Sequence, residues 1–389
     1  DTEHYGYGEL FNEINVHTGG IGTSLELYTD VTKVKEKEFR ATFEIKGKAL
    51  DPKLDVLFAM MREILMESKL GDEKRLKEIL SMLKTRLQTS FLSAGHTTAV
   101  LRSLSYTSPI ARFRDITSGI GFYEVVKDLE ENFEERKELL IENLKKIAGR
   151  IFRKENLMLS YTSAQEGLAV LEKAVPQFAD SLHTGEKESH GQCIIHCKKR
   201  NEGFRTSSKV QYVARTGNFI DGGAEYTGAL QILKVILSYD YLWQNVRVKG
   251  GAYGCMSGFN RIGEGYLVSY RDPNLEKTME IYEGVVDYLK NFDIDDRDMN
   301  KFIIGTISNL DRPMNPAAKG SRSLNLYMNR ITEEMIRRER EQILDAQQED
   351  IRGLATVLEA VLAAGELCVI GSEEKIEEAK EMFGEIRTL

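Results

Sequence analysis

The residues best suited to hold a metal are six histidines (His4, His17, His96, His183, His190 and His196) and four cysteines. None of the histidines belongs to His-x-x-Glu-His or His-Glu-x-x-His. Those are the helical pairs that set two ligands and a carboxylate base on one face. The densest cluster is Cys193-Ile194-Ile195-His196-Cys197. In a strand, Cys193 and Cys197 share a face and His196 takes the other, so the three do not converge. A plain strand and no metal site is the expectation, with a hydrolase built on Cys193, His196 and Cys197 as a competing idea. Nucleophiles fare no better. There is no Gly-x-Ser-x-Gly, and Cys255 and Cys368 sit in apolar strand patterns without a basic partner. Gly19-Gly20-Ile21-Gly22 and Gly250-Gly251-Ala252-Tyr253-Gly254 lack the Lys-Ser/Thr of a phosphate loop and the full dinucleotide spacing, so they read as turns.

The stretch from Leu242 to Gly254 is more informative. A helix with Leu230, Leu233, Ile236 and Leu237 on its apolar face runs into it. Arg247 sits near the helix end, Gly250-Gly251 turns the chain, and Tyr253 begins a strand. That order can place Arg247 and Tyr253 on one wall. A guanidinium grips a peptide carbonyl or carboxylate in a fixed fork, and a phenol donates to an oxygen that gains charge during peptide hydrolysis. The plain reading also stands: a basic residue suits a helix's last turn, and tyrosine is ordinary in strands.

The elements that position this wall occur twice. Phe39 to Ile45 alternates apolar and polar residues as a half-buried strand does. Asp51-Pro52 then turns into a helix with Leu54, Leu57, Phe58, Met61, Ile64 and Leu65 on one face. The same grammar returns 221 residues later at Asp272-Pro273, after the strand Gly265 to Tyr270 and before a helix with Leu275, Met279, Tyr282, Val286 and Leu289. Polar breaks follow at Gly71-Asp72-Glu73 and at Asp293 to Asp296. Each copy ends in a short strand and an acidic helix: Leu157 to Tyr161 then Gln165 onward, and Leu367 to Ile370 then Glu373 onward. Two tandem α+β domains of one design are expected, 1–182 and 190–389, joined by the polar run Ser181 to Gln192. Only the second has a full lead-in, from Cys193 to Val246. The first is expected to lack its opening strands and helix, about fifty residues by comparison of the copies. The charge runs Arg337 to Glu341 and Glu130 to Lys137 read as solvated helix faces.

Composition sets the outer limits. The chain has 389 residues, 41% hydrophobic and 29% charged, a soluble profile with room for two cores. No apolar run is long enough to span a membrane. A net charge of -8 argues against nucleic acid as a main partner. Four cysteines make no disulfide framework and suit a reducing compartment. Asp1 to Tyr7 shows no basic-then-apolar leader.

At this point the residues resemble a known family. Arg247-Val248-Lys249-Gly250-Gly251-Ala252-Tyr253-Gly254, then Ser269-Tyr270-Arg271-Asp272-Pro273-Asn274-Leu275, resembles the fourth domain of presequence proteases, of the pitrilysin/insulinase type (peptidase M16, subfamily C). Ile304-Gly305-Thr306-Ile307 and Ala318-Lys319-Gly320 continue the likeness. Tyr7 to Leu10, His17 to Ile21 and Ser93-Ala94-Gly95-His96 are similar to the third domain. The resemblance implies four homologous α+β domains of the LuxS/metallohydrolase-like type, each a mainly antiparallel sheet packed with helices, in two halves closing on a chamber. It implies that zinc and its general base belong to an N-terminal half absent here, so that this chain carries no cofactor and is inactive alone. It implies that Arg247 and Tyr253 hold the substrate backbone, with Tyr253 assisting at the scissile carbonyl, and that the partners are the zinc-bearing half and unstructured peptides. A bacterial cytoplasm or an organelle matrix would suit it. The alternative is an M16-like scaffold or assembly subunit without catalysis.

Overall fold

The computed structural model describes residues 1–185 and 195–389. Cys193, His190 and most of the expected linker lie outside the described residues.

The first repeat opens with helix α1 (Tyr7–His17), then hairpin β1 (Ile21–Tyr28) and β2 (Arg40–Gly47), antiparallel with Leu25 opposite Phe43. Asp51 to Lys53 form a single 3-10 turn, with Pro52 where no N–H donor is needed, and α2 (Leu54–Met66) follows. Leu54, Leu57, Phe58 and Met61 are buried against Leu171, Ala174 and Phe178 of α8 (Gln165–Asp180). Between them run α3 (Glu73–Ser93), α4 (Gly95–Leu104), α5 (Pro109–Ser118), α6 (Ile120–Glu131) and α7 (Phe133–Ile151). Asp72 caps α3 by accepting the amide of Arg75, as the polar break leads one to expect.

The second repeat contributes β3 (Glu202–Thr206), β4 (Tyr212–Asn218), α9 (Ala229–Tyr239), β5 (Gly254–Phe259) and β6 (Glu264–Tyr270). Helices α10 (Glu276–Glu283), α11 (Val285–Lys290), α12 (Asp296–Leu310), α13 (Pro316–Met328), α14 (Glu333–Leu344), α15 (Gln348–Gly353) and α16 (Ala355–Ala363) follow. The chain ends with β7 (Glu366–Ser372), α17 (Glu373–Glu378) and β8 (Glu385–Thr388). Among the described residues the strands form a two-stranded sheet, β1-β2, and a six-stranded one in the order β5-β6-β4-β7-β3-β8. β3 is parallel to β7 and β8, and the other pairs are antiparallel. This is an α+β fold.

The large sheet is covered on both faces. Leu230, Leu233, Ile236 and Leu237 of α9 pack beneath it with Val357, Leu358 and Val361 of α16. The opposite face is closed by the first repeat: Phe91, Ala99, Tyr106, Ile120 and Tyr123 bury Phe204, Tyr212, Val268, Cys368 and Ile370. Close approach decides one residue there. A Cβ on Gly95 would stand 2.3 Å from the Tyr212 ring, so the start of α4 admits only glycine.

Four expectations are corrected. Leu157 to Tyr161 is extended, but among the described residues no strand pairs with it. An extended segment becomes a strand only where a neighbour offers a ladder, and among the described residues β2 pairs only with β1. Ile195 to Cys197 is likewise no strand; the chain joins the sheet at Glu202. The helix after Leu275 breaks at Gly284, because the Tyr241 hydroxyl inserts there and donates to the Ile281 carbonyl at 2.8 Å. Val285 is fully buried, and Val286, the position expected on the apolar face, is partly buried against the same core. Finally, Glu339 in the 337–341 charge run is no solvated residue, since it accepts the Tyr226 hydroxyl at 2.9 Å and pairs with Arg261.

Candidate functional site

The apolar face of α9 ends at Tyr239, and buried Leu242 and Val246 continue it. Between them the chain does not resume an α-helix. Trp243–Val248 is a π-helical turn, closed by the Lys249 amide donating to the Gln244 carbonyl at 3.0 Å. Such turns are rare and concentrate at functional sites. Here the turn sinks Val246 and leaves Trp243 and Arg247 half-buried. The Arg247 guanidinium lies over the Trp243 ring, Cζ 4.0 Å from its centroid.

The glycine turn then reverses the chain. Gly251 has φ +82°, and a Cβ on Gly250 would stand 2.4 Å from the Val246 carbonyl oxygen. The Gly251 amide donates to the Arg247 carbonyl (2.9 Å) and the Ala252 amide to that of Val246 (3.1 Å). The Asp-Pro-Asn motif holds this turn from outside, as the Asn274 side-chain amide donates to the Gly250 carbonyl at 2.6 Å. Asp272 anchors the motif, accepting the Thr278 hydroxyl at 2.7 Å and exchanging backbone bonds with Gln211. Its burial pushes the carboxyl above the usual range.

Tyr253 emerges just before β5, its amide donating to the Arg271 carbonyl at 3.2 Å. Its ring is 66% exposed and stands edge-on to Tyr270, 5.7 Å between centroids. The Arg247 Cζ is 5.8 Å from the same ring. The structure therefore brings Arg247 and Tyr253 together. It adds Trp243 and Tyr270, and also His96 from the first repeat, edge-on to Tyr270 at 4.8 Å. Arg271, in the left-handed region at φ 49°, lies over the Tyr270 ring at 5.4 Å. Sequence reasoning gave these four no role at the wall. Tyr270-Arg271 beside Asp-Pro was the available signal, while His96 is joined to the wall only by the tertiary fold. Burial holds the His96 imidazole below the ordinary histidine range, favouring its neutral form.

Neither the Arg247 guanidinium nor the Tyr253 hydroxyl hydrogen-bonds to another described residue. One planar five-donor group and one phenolic donor thus present themselves together at the surface, an arrangement suited to gripping an extended peptide backbone. Other chemistry is poorly served. Burial pushes the Cys255 thiol to about 11, raises that of Cys368 further, and also raises that of Cys197. Among the described residues no group of three or more His, Cys, Asp or Glu is placed to hold a metal ion.

The PreP C-terminal domain matches residues 201–373, and the associated domain of peptidase M16, subfamily C, matches residues 1–129. Together these matches make the chain similar to the C-terminal half of a presequence-protease-like M16 peptidase. It is 37% identical over its whole length to protein HypA of Clostridium perfringens, covering 39% of that protein. It is 30% identical over 95% of its length to presequence protease 1, chloroplastic/mitochondrial, of Arabidopsis thaliana, covering 34% of it. It therefore spans little more than a third of these curated relatives. In fold it is similar to a peptidase M16 inactive domain from Pseudomonas fluorescens (TM-score 0.57, 12% identity, 95% of this chain and 84% of that one). It is also similar to a Helicobacter pylori protease (TM-score 0.59, 14% identity, 95% and 86%). Among the described residues no helix is long and apolar enough to cross a membrane.

Proposed function

We propose that this chain is the non-catalytic, substrate-gripping half of a zinc metalloendopeptidase that degrades unstructured peptides in a closed chamber. The observation that carries the reading is the pairing of Arg247 and Tyr253 on a glycine turn, both side chains without hydrogen-bond partners among the described residues. Arg247 holds a carbonyl or carboxylate of an extended peptide. Tyr253 donates to the scissile carbonyl oxygen once a zinc-bearing half stands opposite, and that half supplies the metal and the general base. The site residues present here are not a metal donor set, so no metal step is assigned to them. The chain divides into two repeats, 1–182 and 190–389, and would work in a bacterial cytoplasm or an organelle matrix.

Two measurements test this. A fluorescent unstructured peptide should bind the isolated chain with an affinity that falls about tenfold or more in Arg247→Ala, of the order expected for losing a charge-assisted contact. The chain alone should not cleave a quenched peptide. Adding a zinc-bearing N-terminal half of a relative should restore cleavage, and Tyr253→Phe should remove most of it while leaving binding in place. Peptide binding indifferent to Arg247 would favour a scaffold instead, and zinc-dependent cleavage by the chain alone would overturn the proposal.

A further inference from the structure

Arg271 follows the last residue of β6 and has a left-handed backbone, φ 49°. Glycine enters that region freely, whereas any residue with a Cβ is strained there. The Arg271 carbonyl accepts the Tyr253 amide at 3.2 Å, and Asp272, next in the chain, exchanges backbone bonds with Gln211. Glycine would serve those backbone bonds as well. An arginine at this exposed and strained position therefore points to a use for its side chain.

Acids outnumber Lys and Arg in this chain, 61 to 53, so a carboxylate partner is easily come by. Yet among the described residues neither Arg247 nor Arg271 pairs with one. Asp272 is fully buried and turned inward, accepting the Thr278 hydroxyl at 2.7 Å and the Asn274 amide at 2.9 Å. Arg271 instead lies over the Tyr270 ring, Cζ 5.4 Å from its centroid, and reaches the Tyr212 hydroxyl. That hydroxyl is a neutral partner, itself donating to the Leu92 carbonyl at 2.6 Å. A guanidinium has five donors, so most of the fork stays free.

Two rings stand between the two cations and set their spacing. The steps from Arg247 to Tyr253, Tyr253 to Tyr270 and Tyr270 to Arg271 measure 5.8, 5.7 and 5.4 Å. The guanidiniums are thus at most about five residues of extended peptide apart, at ~3.3 Å per residue. Tyr270 is held from the first repeat, its hydroxyl 3.5 Å from the Ser93 carbonyl and its ring edge-on to His96. We infer that Arg271 is a second peptide-binding residue of this wall, and that it selects peptides with a carboxylate within about five residues of the group held by Arg247. The inference rests on Arg247 gripping the peptide as proposed above. An acidic side chain and a free C-terminus present the same two oxygens to the fork.

Fluorescence anisotropy on the 389-residue chain tests it, with short rhodamine-labelled peptides of serine, alanine and glycine. One has a central Asp and an amidated C-terminus. Its control has Asn there, and a third is the Asn peptide with a free C-terminus. Uniform flanks let the carboxylate find its own register. The Asp peptide or the free acid should bind at least about threefold tighter than the amidated control, as an exposed charge-assisted contact would give. Whichever does identifies the source of the carboxylate. Arg271→Asn suits a left-handed backbone and should erase the preference, with the control peptide bound within about twofold and the melting temperature in place. Arg271→Gly should do the same with the strain removed. Arg247→Ala should instead weaken all three peptides alike. Equal binding of the three peptides, or a preference that survives both Arg271 substitutions, overturns this inference and leaves the Arg247 reading standing. A preference lost in Arg247→Ala alone also overturns it, since the carboxylate would then sit at Arg247. Binding indifferent to Arg247→Ala, or absent at millimolar peptide, overturns the reading beneath it and the two-point grip with it.

Discussion

The Arg247 guanidinium carbon stands 4.0 Å from the Trp243 ring centroid and 5.8 Å from that of Tyr253, close enough to the indole for the planar group to contribute more than its charge. Arg247→Lys therefore keeps the charge and loses both the planar ring contact and the fork. It should weaken binding of an unstructured peptide nearly as much as Arg247→Ala, by about 1–2 kcal/mol, while a thermal melt stays within about a degree or two of the parent. Fluorescence anisotropy of a labelled peptide would show it, and full affinity in the lysine variant would mean that charge alone suffices. A second residue-scale consequence lies at Glu366, 1% exposed at the start of β7, with the Thr216 hydroxyl 3.4 Å away. Burial raises its carboxyl from 4.5 to about 7. Between those values the folded chain keeps a proton that the unfolded chain has lost, so stability falls as pH rises through the window. Glu366→Gln should remove that slope, and unfolding free energies from urea titrations at pH 5 and pH 7.5 should differ less than in the parent, by roughly 1–3 kcal/mol.

At the scale of elements, α4 is the piece that the two repeats share. Arg102, 1% exposed, donates from Nε and Nη2 to Glu202 of β3 (2.5 and 2.8 Å) and from Nη1 to Asp115 of α5 (2.7 Å). The Tyr106 hydroxyl donates to the same Glu202 at 3.0 Å. Removing the one cation bonded to both buried carboxylates leaves Asp115 with only the half-buried Arg112, and Glu202 with the Tyr106 hydroxyl and the more distant Arg200 and Arg387. Arg102→Met should cost about 3–5 kcal/mol in a denaturant titration, whereas replacing the whole set with apolar residues should cost much less. No sequence pattern announced this network, because its members lie as far apart as Arg102 and Glu202 and mean nothing until α4 crosses the sheet. The Asp-Pro helix starts were legible, since proline and the following apolar spacing act locally. The break at Gly284 was not, because its cause is a tyrosine hydroxyl from residue 241. Residues 157–161 were expected as a strand and are extended without a partner among the described residues, for pairing is a property of a neighbour. The site divides the same way: Arg247 and Tyr253 share one short motif, whereas His96 reaches the wall only through tertiary packing.

For the whole molecule, the deciding feature is where the cores sit rather than how many repeats the chain contains. Phe91, Ala99, Tyr106, Ile120 and Tyr123 cover one face of the six-stranded sheet, and every one of them comes from the first repeat. In return Gly320 of α13 seats against Thr162 of the first repeat. Each half also has a core of its own, α2 against α8 in the first and α9 with α16 in the second, and with those alone the halves would unfold in two steps. The chain is built so that loss of either half strips a face from the other. A fragment of residues 201–389 would expose Phe204, Tyr212, Val268 and Ile370 at once and leave Glu202 buried beside a missing Arg102. That fragment is expected to keep helical far-ultraviolet circular dichroism, lose near-ultraviolet signal and bind a hydrophobic dye, as loosely packed states do. The full chain should melt in one cooperative transition seen alike by tyrosine fluorescence and by circular dichroism. Two separated transitions, or a fragment that packs natively alone, would show that the shared face contributes little. A single transition would also tie the Arg247 wall to the first repeat, since His96 supports Tyr270 across the same face, so that peptide binding and global stability should be lost together as denaturant rises.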